Sequence, residues 1–328
     1  MQDHVRPSRN TSRKNETDGE RLDDAARAGW LYYVAGNTQD EVAQKLGVSR
    51  QTAQRLVSMA VSERLIKVRL DHPIARCMEL ASRLSERFAL RHCDVVPTDP
   101  ASLTAVAGVA ASAGAFLEQK LAAPTPLIIA LGTGRTLRAA IDQIRPMTSP
   151  HHQLVSLVGN IAPDGSASLF DTLTRLADLT KAQHYPIPLP VVVRTIEERD
   201  LLIDIETIRR VRTLAARADL TLVGVGQMDM DAQQFIDGFL TREELLDQMR
   251  AGAVGEVVGW AIDKDGRVLE SDINRRITSV PHQPGTGRFV VGVAVGPAKV
   301  KAIRGALVGQ LLTGLITDEA TAVALLDS

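Results

Sequence analysis

The stretch Thr38-Gln-Asp-Glu-Val-Ala-Gln-Lys-Leu-Gly-Val-Ser-Arg-Gln-Thr-Ala-Gln-Arg-Leu-Val57 reads as two short helices joined by a tight turn. Thr38 followed three residues later by Glu41 is a capping box, in which each side chain bonds the other's backbone N–H, so a helix starts there. Val42, Ala43 and Leu46 form its apolar face. Gly47 ends it, because glycine takes a left-handed terminus without strain. Ser49 caps a second helix that carries Arg50, Gln51, Thr52, Gln54 and Arg55, with Leu56, Val57 and Ala60 on the opposite face. Residues 25–34 supply a third apolar helix to cover the pair. Ala43 and Gly47 are small enough for the helices to approach, and Leu56 is expected in the core. Ala53 is smaller than the branched residue its position would take, which predicts looser packing there.

Charge follows the same division. Lys45, Arg50, Arg55, Arg64, Lys67 and Arg69 face Glu63 alone, a local excess of five positive charges. Cations neutralise phosphates, and short polar side chains at a helix start reach base edges in the major groove. The residues expected to touch DNA are Thr38, Gln39, Ser49, Arg50, Gln51, Thr52, Gln54 and Arg55. A helical hairpin with a solvated basic face in an enzyme's accessory domain is the bland competitor. Cap, turn, spacing and charge together favour the DNA-binding helix-turn-helix.

The whole chain looks different in total. Its 328 residues suggest two domains. Lys+Arg 38 against Asp+Glu 39 gives a net charge of −1, which weighs against a protein that coats nucleic acid. An aromatic content of 3% weighs against a stacking platform for single strands. No apolar run approaches a membrane span, and no secretory leader is evident, so a cytoplasmic protein without membrane partners is expected. Cys77 and Cys93 sit apart from any ligand cluster and read as inert thiols, leaving no expected metal or cofactor. His151 and His152, after Ser149-Pro150, read as surface histidines. Residues 1–20 hold only Met1 and Val5 as sizeable apolar residues and read as a disordered tail. The expected organisation is that tail, an all-α helix-turn-helix domain over 21–70, a linker helix over 71–92, and an effector domain over 93–328.

Beyond residue 93, β-branched runs alternate with amphipathic stretches. Strands are expected at 127–131, 154–158, 190–194, 221–225, 255–262, 289–295 and 314–317, with helices at 136–144, 170–182, 207–218 and 299–312. That alternation predicts an α/β domain with a mainly parallel sheet. Pro186, Pro188 and Pro190 read as an extended lead into an edge strand, and Trp260 and Ile262 as strand core.

Two strand-to-helix loops suit an anion. In Gly132-Thr-Gly-Arg-Thr136, glycines expose backbone N–H groups beside the positive end of a helix. Thr133 and Thr136 add hydroxyl donors and Arg135 a bidentate cation. The loop is no Walker A motif, since no Gly-Lys-Ser/Thr follows. Leu137 replaces the third glycine of a dinucleotide fingerprint. The second loop, Val295-Gly-Pro-Ala-Lys299, puts Lys299 near a helix start. A cation does not help the helix there, which a bound anion would explain.

Taken together, Ala26-Arg-Ala-Gly-Trp-Leu-Tyr-Tyr-Val34, Thr38-Gln-Asp-Glu-Val-Ala43, Leu46-Gly-Val-Ser-Arg50 and Arg64-Leu-Ile-Lys67 resemble the SorC family of bacterial transcription regulators. The resemblance continues to the C-terminus. It implies a helix-turn-helix before a sugar-binding domain similar in fold to sugar-phosphate isomerases, and a sugar, polyol or sugar-phosphate effector. The matching stretches are Gly132-Thr-Gly-Arg-Thr136, Leu157-Val-Gly-Asn160, Val223-Gly-Val-Gly226, Gly252-Ala-Val-Gly-Glu256 and Gly296-Pro-Ala-Lys299. The effector residues so implied are Gly132, Thr133, Gly134, Arg135, Thr136, Asn160, Glu256 and Lys299, with Glu256 accepting from sugar hydroxyls. Ile316-Thr-Asp-Glu-Ala-Thr321 matches the family's C-terminal signature and reads as structural. Val295 stands where the family usually has glycine, so a neutral sugar or polyol stays open beside a phosphorylated one. The expected partners are double-stranded operator DNA, the effector and a second copy of the chain, as dimer or tetramer. The competing class is a sugar-phosphate isomerase using the Gly132-Thr-Gly-Arg-Thr136 loop, with Glu256, Asp229 or Asp263 as base. No acid–base constellation stands out for it, and a helix-turn-helix has no purpose there; a non-enzyme is expected.

Overall fold

The computed structural model describes residues 10–63, 65–66, 74–102, 104–162, 164–166, 171–281 and 287–328, with backbone alone for 10–19. The chain divides into two compact units, Met1–His72 and Pro73–Ser328.

In the first unit, helix α1 (Asn10–Gly29) runs on into a π-helical turn, Trp30–Val34. Its first half overlaps positions 10–20, which composition assigned to the tail; residues 1–9 lie outside the described residues. Helices α2 (Gln39–Leu46) and α3 (Arg50–Ser62) follow. The Thr38–Glu41 capping box forms in both directions, Gly47 ends α2 at φ 67°, and Ser49 Oγ accepts from Thr52 N–H at 3.1 Å. Ala28, Val42, Ala43, Ala53 and Val57 make the small core, with Leu56 only partly buried at its edge. Ala53 is fully buried within that core.

The second unit opens with α4 (Ala75–Phe88), whose Cys77, Leu80 and Leu84 are buried in this unit's core. Ala89, left-handed at φ 52°, ends it. Strand β1 (His92–Val96) follows, where the sequence suggested the end of a linker helix. Then come α5 (Ala107–Leu121), β2 (Ile128–Leu131), α6 (Arg135–Ile141), β3 (Gln153–Ile161), α7 (Thr172–Thr180) and β4 (Gln183–Pro190). Helices α8 (Ile196–Ile203) and α9 (Glu206–Ala216) lead to β5 (Leu220–Val223), β6 (Gly226–Gln227), α10 (Gln233–Ile236) and α11 (Arg242–Arg250). The chain closes through β7 (Gly255–Val257), β8 (Trp260–Ile262), α12 (Asp272–Arg276), β9 (Val290–Val293), a 3-10 turn at Pro297–Lys299, α13 (Val300–Val308), β10 (Gly314–Asp318) and α14 (Glu319–Asp327).

Seven strands form one parallel sheet in the order β1-β10-β9-β5-β2-β3-β4. Helices cover both faces, which is why β5, β9 and β10 are buried at every residue. From β2 the chain steps outward through β3 to β4. It then returns to β5 on the other side of β2 and continues toward β9 and β10. This reversal leaves a crevice beyond the carboxyl ends of β2 and β5, the place where open parallel sheets bind ligands.

Three expectations need correction. The strand expected over 255–262 is a hairpin, because Val258 and Gly259 turn the chain at φ 56° and 91°; a two-residue hairpin requires positive φ at both positions. The strand expected at 190–194 is β4, which contains Pro186, Pro188 and Pro190 themselves. It is an edge strand paired only with β3, so prolines at alternate positions cost no ladder bond and blunt the free edge. His152 is fully buried rather than on the surface. Its Nδ1 accepts from Leu127 N–H at 3.1 Å, which leaves Nε2 to donate to Leu121 C=O at 3.1 Å and ties β2 to the end of α5. His151 is exposed. Burial pushes the Cys93 thiol up to about 12 and also raises that of Cys77, so neither is activated as a nucleophile.

Burial holds the His152 imidazole below its ordinary 6.5, against the help of the Leu121 carbonyl. The unfolded chain therefore takes up a proton that the folded chain refuses. The stabilising contribution is complete above 6.5 and is lost as pH falls from there toward the folded value. Chemical denaturation between pH 7.5 and 5 should show stability declining on the acid side. His152→Phe should be less stable by about 1–3 kcal/mol at the upper pH, because it orphans the Leu127 N–H, the Leu121 carbonyl keeping its bond from the Ser149 hydroxyl, yet show a shallower decline.

Candidate functional site

The crevice is a cavity of about 510 Å³ at the carboxyl ends of β2, β5 and β9. Gly132, Thr133, Gly134, Arg135 and Thr136 line it from the β2–α6 loop, and Gly296, Ala298 and Lys299 from the loop after β9. Gly224, Val225 and Gly226 form the floor between them after β5. The two outer loops share one backbone solution. Gly134 sits at φ 124°, ψ 163° and Gly296 at φ 113°, ψ 149°, and each immediately precedes a helical segment. That corner of conformational space belongs to glycine alone.

Both loops are pinned from behind by threonines at helix starts. Thr172, the first residue of α7, donates its hydroxyl to Gly132 C=O at 2.7 Å. Thr321, in the first turn of α14, accepts from Gly296 N–H at 3.0 Å. Asp318 holds that turn, accepting from Thr321 N–H at 3.0 Å and from the Thr98 hydroxyl at 2.6 Å. The C-terminal signature is thus structural in a specific way: it fixes the height of the Gly296 loop.

Glu256, on β7, reaches into the cavity over Gly226. A β-carbon on Gly226 would lie 2.2 Å from Glu256 Oε1, so that position must be glycine for the carboxylate to fit. Glu256 Oε2 accepts from Gly259 N–H at 2.6 Å across the hairpin turn. Burial pushes the Glu256 carboxyl above its ordinary range, opposed by that N–H and by the Lys299 charge. Burial likewise lowers Lys299, with Glu256 opposing and Arg135 adding to the effect. Three charged groups thus sense one another at this end, two cationic and one anionic. Added to the exposed N–H groups of α6, they leave a net attraction for an anion.

Of the effector residues expected from the sequence, Gly132, Thr133, Gly134, Arg135, Thr136, Glu256 and Lys299 line one cavity. Asn160 does not; its neighbours Val158 and Gly159 do, at a register irregularity in the β3–β4 ladder. Asn160 Oδ1 is buried and, among the described residues, has no hydrogen-bond partner. Val295 also lines the cavity and is buried. Gln227, Gln233, Gln234, Asp237 and Phe239 line it too and carried no signal in the sequence, because they belong to the irregular β6–α11 connection. Of the three carboxylates weighed as an isomerase base, only Glu256 lines the cavity. Asp229 is bonded to Gln227 Nε2 and Asp231 N–H, and Asp263 to the N–H groups of Asp265 and Arg267.

In the other unit, Thr38, Ser49, Arg50, Gln51, Gln54 and Arg55 are exposed, and Gln39 and Thr52 are half-buried. Thr38 and Ser49 are engaged as caps, and the Ser49 and Thr52 hydroxyls lie 2.9 Å apart. Arg50 pairs with Asp40 at 3.2 Å, both well exposed, a contact easily exchanged for a phosphate. Arg64, Lys67 and Arg69 lie outside the described residues.

Comparison with known proteins converges on one family. The sequence profile of the family described as "Putative sugar-binding domain" matches residues 72–327. The chain is 32% identical over 302 residues to the erythritol catabolism regulatory protein EryD of Brucella abortus, covering 92% of this chain and 96% of that protein. It is 31% identical over 310 residues to the transcriptional regulator LsrR of Klebsiella pneumoniae, covering 92% of each. In three dimensions it is similar to the full-length sorbitol operon regulator SorC of Klebsiella pneumoniae (TM-score 0.68, 20% identity, 94% of this chain and 99% of that one), a likeness of fold. A domain described as that of "a possible sugar-binding transcriptional regulator" from Arthrobacter aurescens aligns with TM-score 0.70 and 25% identity over 78% of this chain and all of that one. With an α/β sugar-binding domain following a helix-turn-helix, this chain belongs to the SorC family of sugar-binding transcriptional regulators.

Proposed function

We propose that this protein binds operator DNA through α2 and α3, and that a phosphorylated sugar or polyol in the cavity beyond β2, β5 and β9 changes its operator affinity. The observation that carries the reading is the convergence of two glycine-led, threonine-pinned loops, with Arg135 and Lys299, on one cavity that also holds Glu256. Phosphate suits the loops because it offers several acceptors to backbone N–H groups and to both cations. Glu256 accepts from a hydroxyl of the same ligand. The relatives' names, one for erythritol catabolism, support a carbohydrate or polyol operon as the target. We read the protein as a cytoplasmic regulator rather than an enzyme, acting as a dimer or tetramer so that paired recognition helices read two half-sites. Linkage requires that the effector bind free and DNA-bound protein with different affinities.

Two experiments test the two ends of this reading. Arg50→Ala with Arg55→Ala should weaken binding to a duplex from upstream of the protein's own gene by at least about tenfold, and flatten the salt dependence by about two counterions. Unchanged retardation of that duplex by the double variant would show that α3 does not read DNA. For the cavity, Lys299→Met should weaken a sugar-phosphate ligand found by thermal-shift screening by about tenfold or more, with retardation of the duplex retained. Thr321→Val, which leaves Gly296 N–H without its acceptor, should weaken the same ligand several-fold and cost about 1–3 kcal/mol of stability. Wild-type affinity in Lys299→Met would remove the loops from the effector site. Steady isomerase turnover on pentose or hexosamine phosphates would favour the enzyme instead.

A further inference from the structure

The cavity wall built by α10 carries polar groups that the anion-binding loops do not use. Gln233 and Asp237 both line it. Gln233 Nε2 donates to Asp237 Oδ1 at 2.5 Å, which fixes the amide with its NH₂ toward the carboxylate and its Oε1 turned away. That Oε1 is buried and, among the described residues, has no hydrogen-bond partner. Buried acceptors are nearly always satisfied, so one left without a partner on a residue of the cavity wall marks a place for a donor from a bound molecule. The neighbouring Gln234 is spent on structure. Its Nε2 donates to Gly259 C=O at 3.1 Å, and Gly259 N–H donates to Glu256 at 2.6 Å, so α10 and the Glu256 hairpin form one bonded unit.

The geometry points to Gln233 and Asp237 as the reader of two adjacent hydroxyls on the effector, an inference that rests on the cavity being the effector site. Gln233 Oε1 accepts one hydroxyl proton and Asp237 Oδ2 accepts its neighbour. A carboxylate repels phosphate, so Asp237 also sets the ligand's direction: diol toward α10, phosphate toward Arg135 and Lys299. Phe239 and Val225, lining the same cavity, offer apolar surface to the carbon chain between. The ligand class is a phosphate monoester carrying a vicinal diol away from its phosphate. An alkyl phosphate of equal length leaves Gln233 and Asp237 unpaired and is rejected.

Calorimetric titration of the full-length protein with ribitol 5-phosphate and erythritol 4-phosphate, against pentyl and butyl phosphate, tests this. Inorganic phosphate serves as the reference for the anion end. The polyol phosphate should bind at least about tenfold more tightly than its alkyl counterpart. Gln233→Met, which keeps the side-chain length, should bring that ratio close to one while leaving inorganic phosphate within about twofold of wild type. Asp237→Asn, at an exposed position that does not endanger folding, should lower the ratio without abolishing it. A wild-type ratio near one with inorganic phosphate still bound overturns the diol reader and leaves the anion loops standing. A ratio that survives in both variants also overturns it, as does a parallel loss of inorganic phosphate, which marks a structural role. If wild type binds none of these ligands, the effector reading and the diol reader fall together.

Discussion

Two backbone turns that only glycine can make shape the cavity at the carboxyl ends of the sheet. Gly134 and Gly296 each swing the chain from a sheet strand into a helix at a φ near 120° that any side chain would strain. The strand order puts β2 and β9 on either side of β5, so the two turns face each other across a gap one strand wide. N–H groups, Arg135 and Lys299 are aimed into one space as a consequence. The seven-stranded sheet is the rigid base for this arrangement, and its buried strands do not yield.

Around those turns, small groups are arranged to keep charges solvable in a partly dry site. Gly226 has no β-carbon because Glu256 occupies that volume. The Glu256 carboxylate is steadied by Gly259 N–H and by Lys299, and Lys299 by Glu256 in return. Removing either charge takes from the other an opposite charge that offsets its desolvation. The turn that supplies Gly259 N–H also holds Val258, a β-branched residue at φ 56°. Such a residue is strained there, and strain of this kind persists only where the surroundings over-determine it. Here the hairpin, the Glu256 bond and the Gln234 bond do so.

The near-zero net charge takes on meaning from the same division. A basic segment around α3 is balanced by acidic excess elsewhere, so the near-neutral total conceals a strongly uneven distribution of charge. Local density of charge, not the sum, is what the proposed recognition of DNA by α2 and α3 draws on.

Legibility in the sequence followed the range of the interactions involved. The capping box at Thr38, the left-handed Gly47 and the Ser49 cap were readable because each is settled within four residues. The β2–α6 loop and the parallel α/β class were readable for the same reason, since glycine placement and β-branched runs are local signals. Edge strand β4 was misplaced because proline's ban from a ladder applies only where a second neighbour exists, and neighbours are set by topology. His152 was misread because its two partners, Leu127 and Leu121, lie 25 and 31 residues away. Gln233, Asp237 and Thr172 belong to no local pattern, and Thr321 was legible only as part of the C-terminal signature, not as the partner of Gly296 N–H. By itself the sequence determined the capped helix pair, the parallel α/β class, the strand-to-helix loops that need glycine and the family. Which residues share the cavity was decided only by the order of strands in the sheet, because parallel connections bring together residues far apart in the chain.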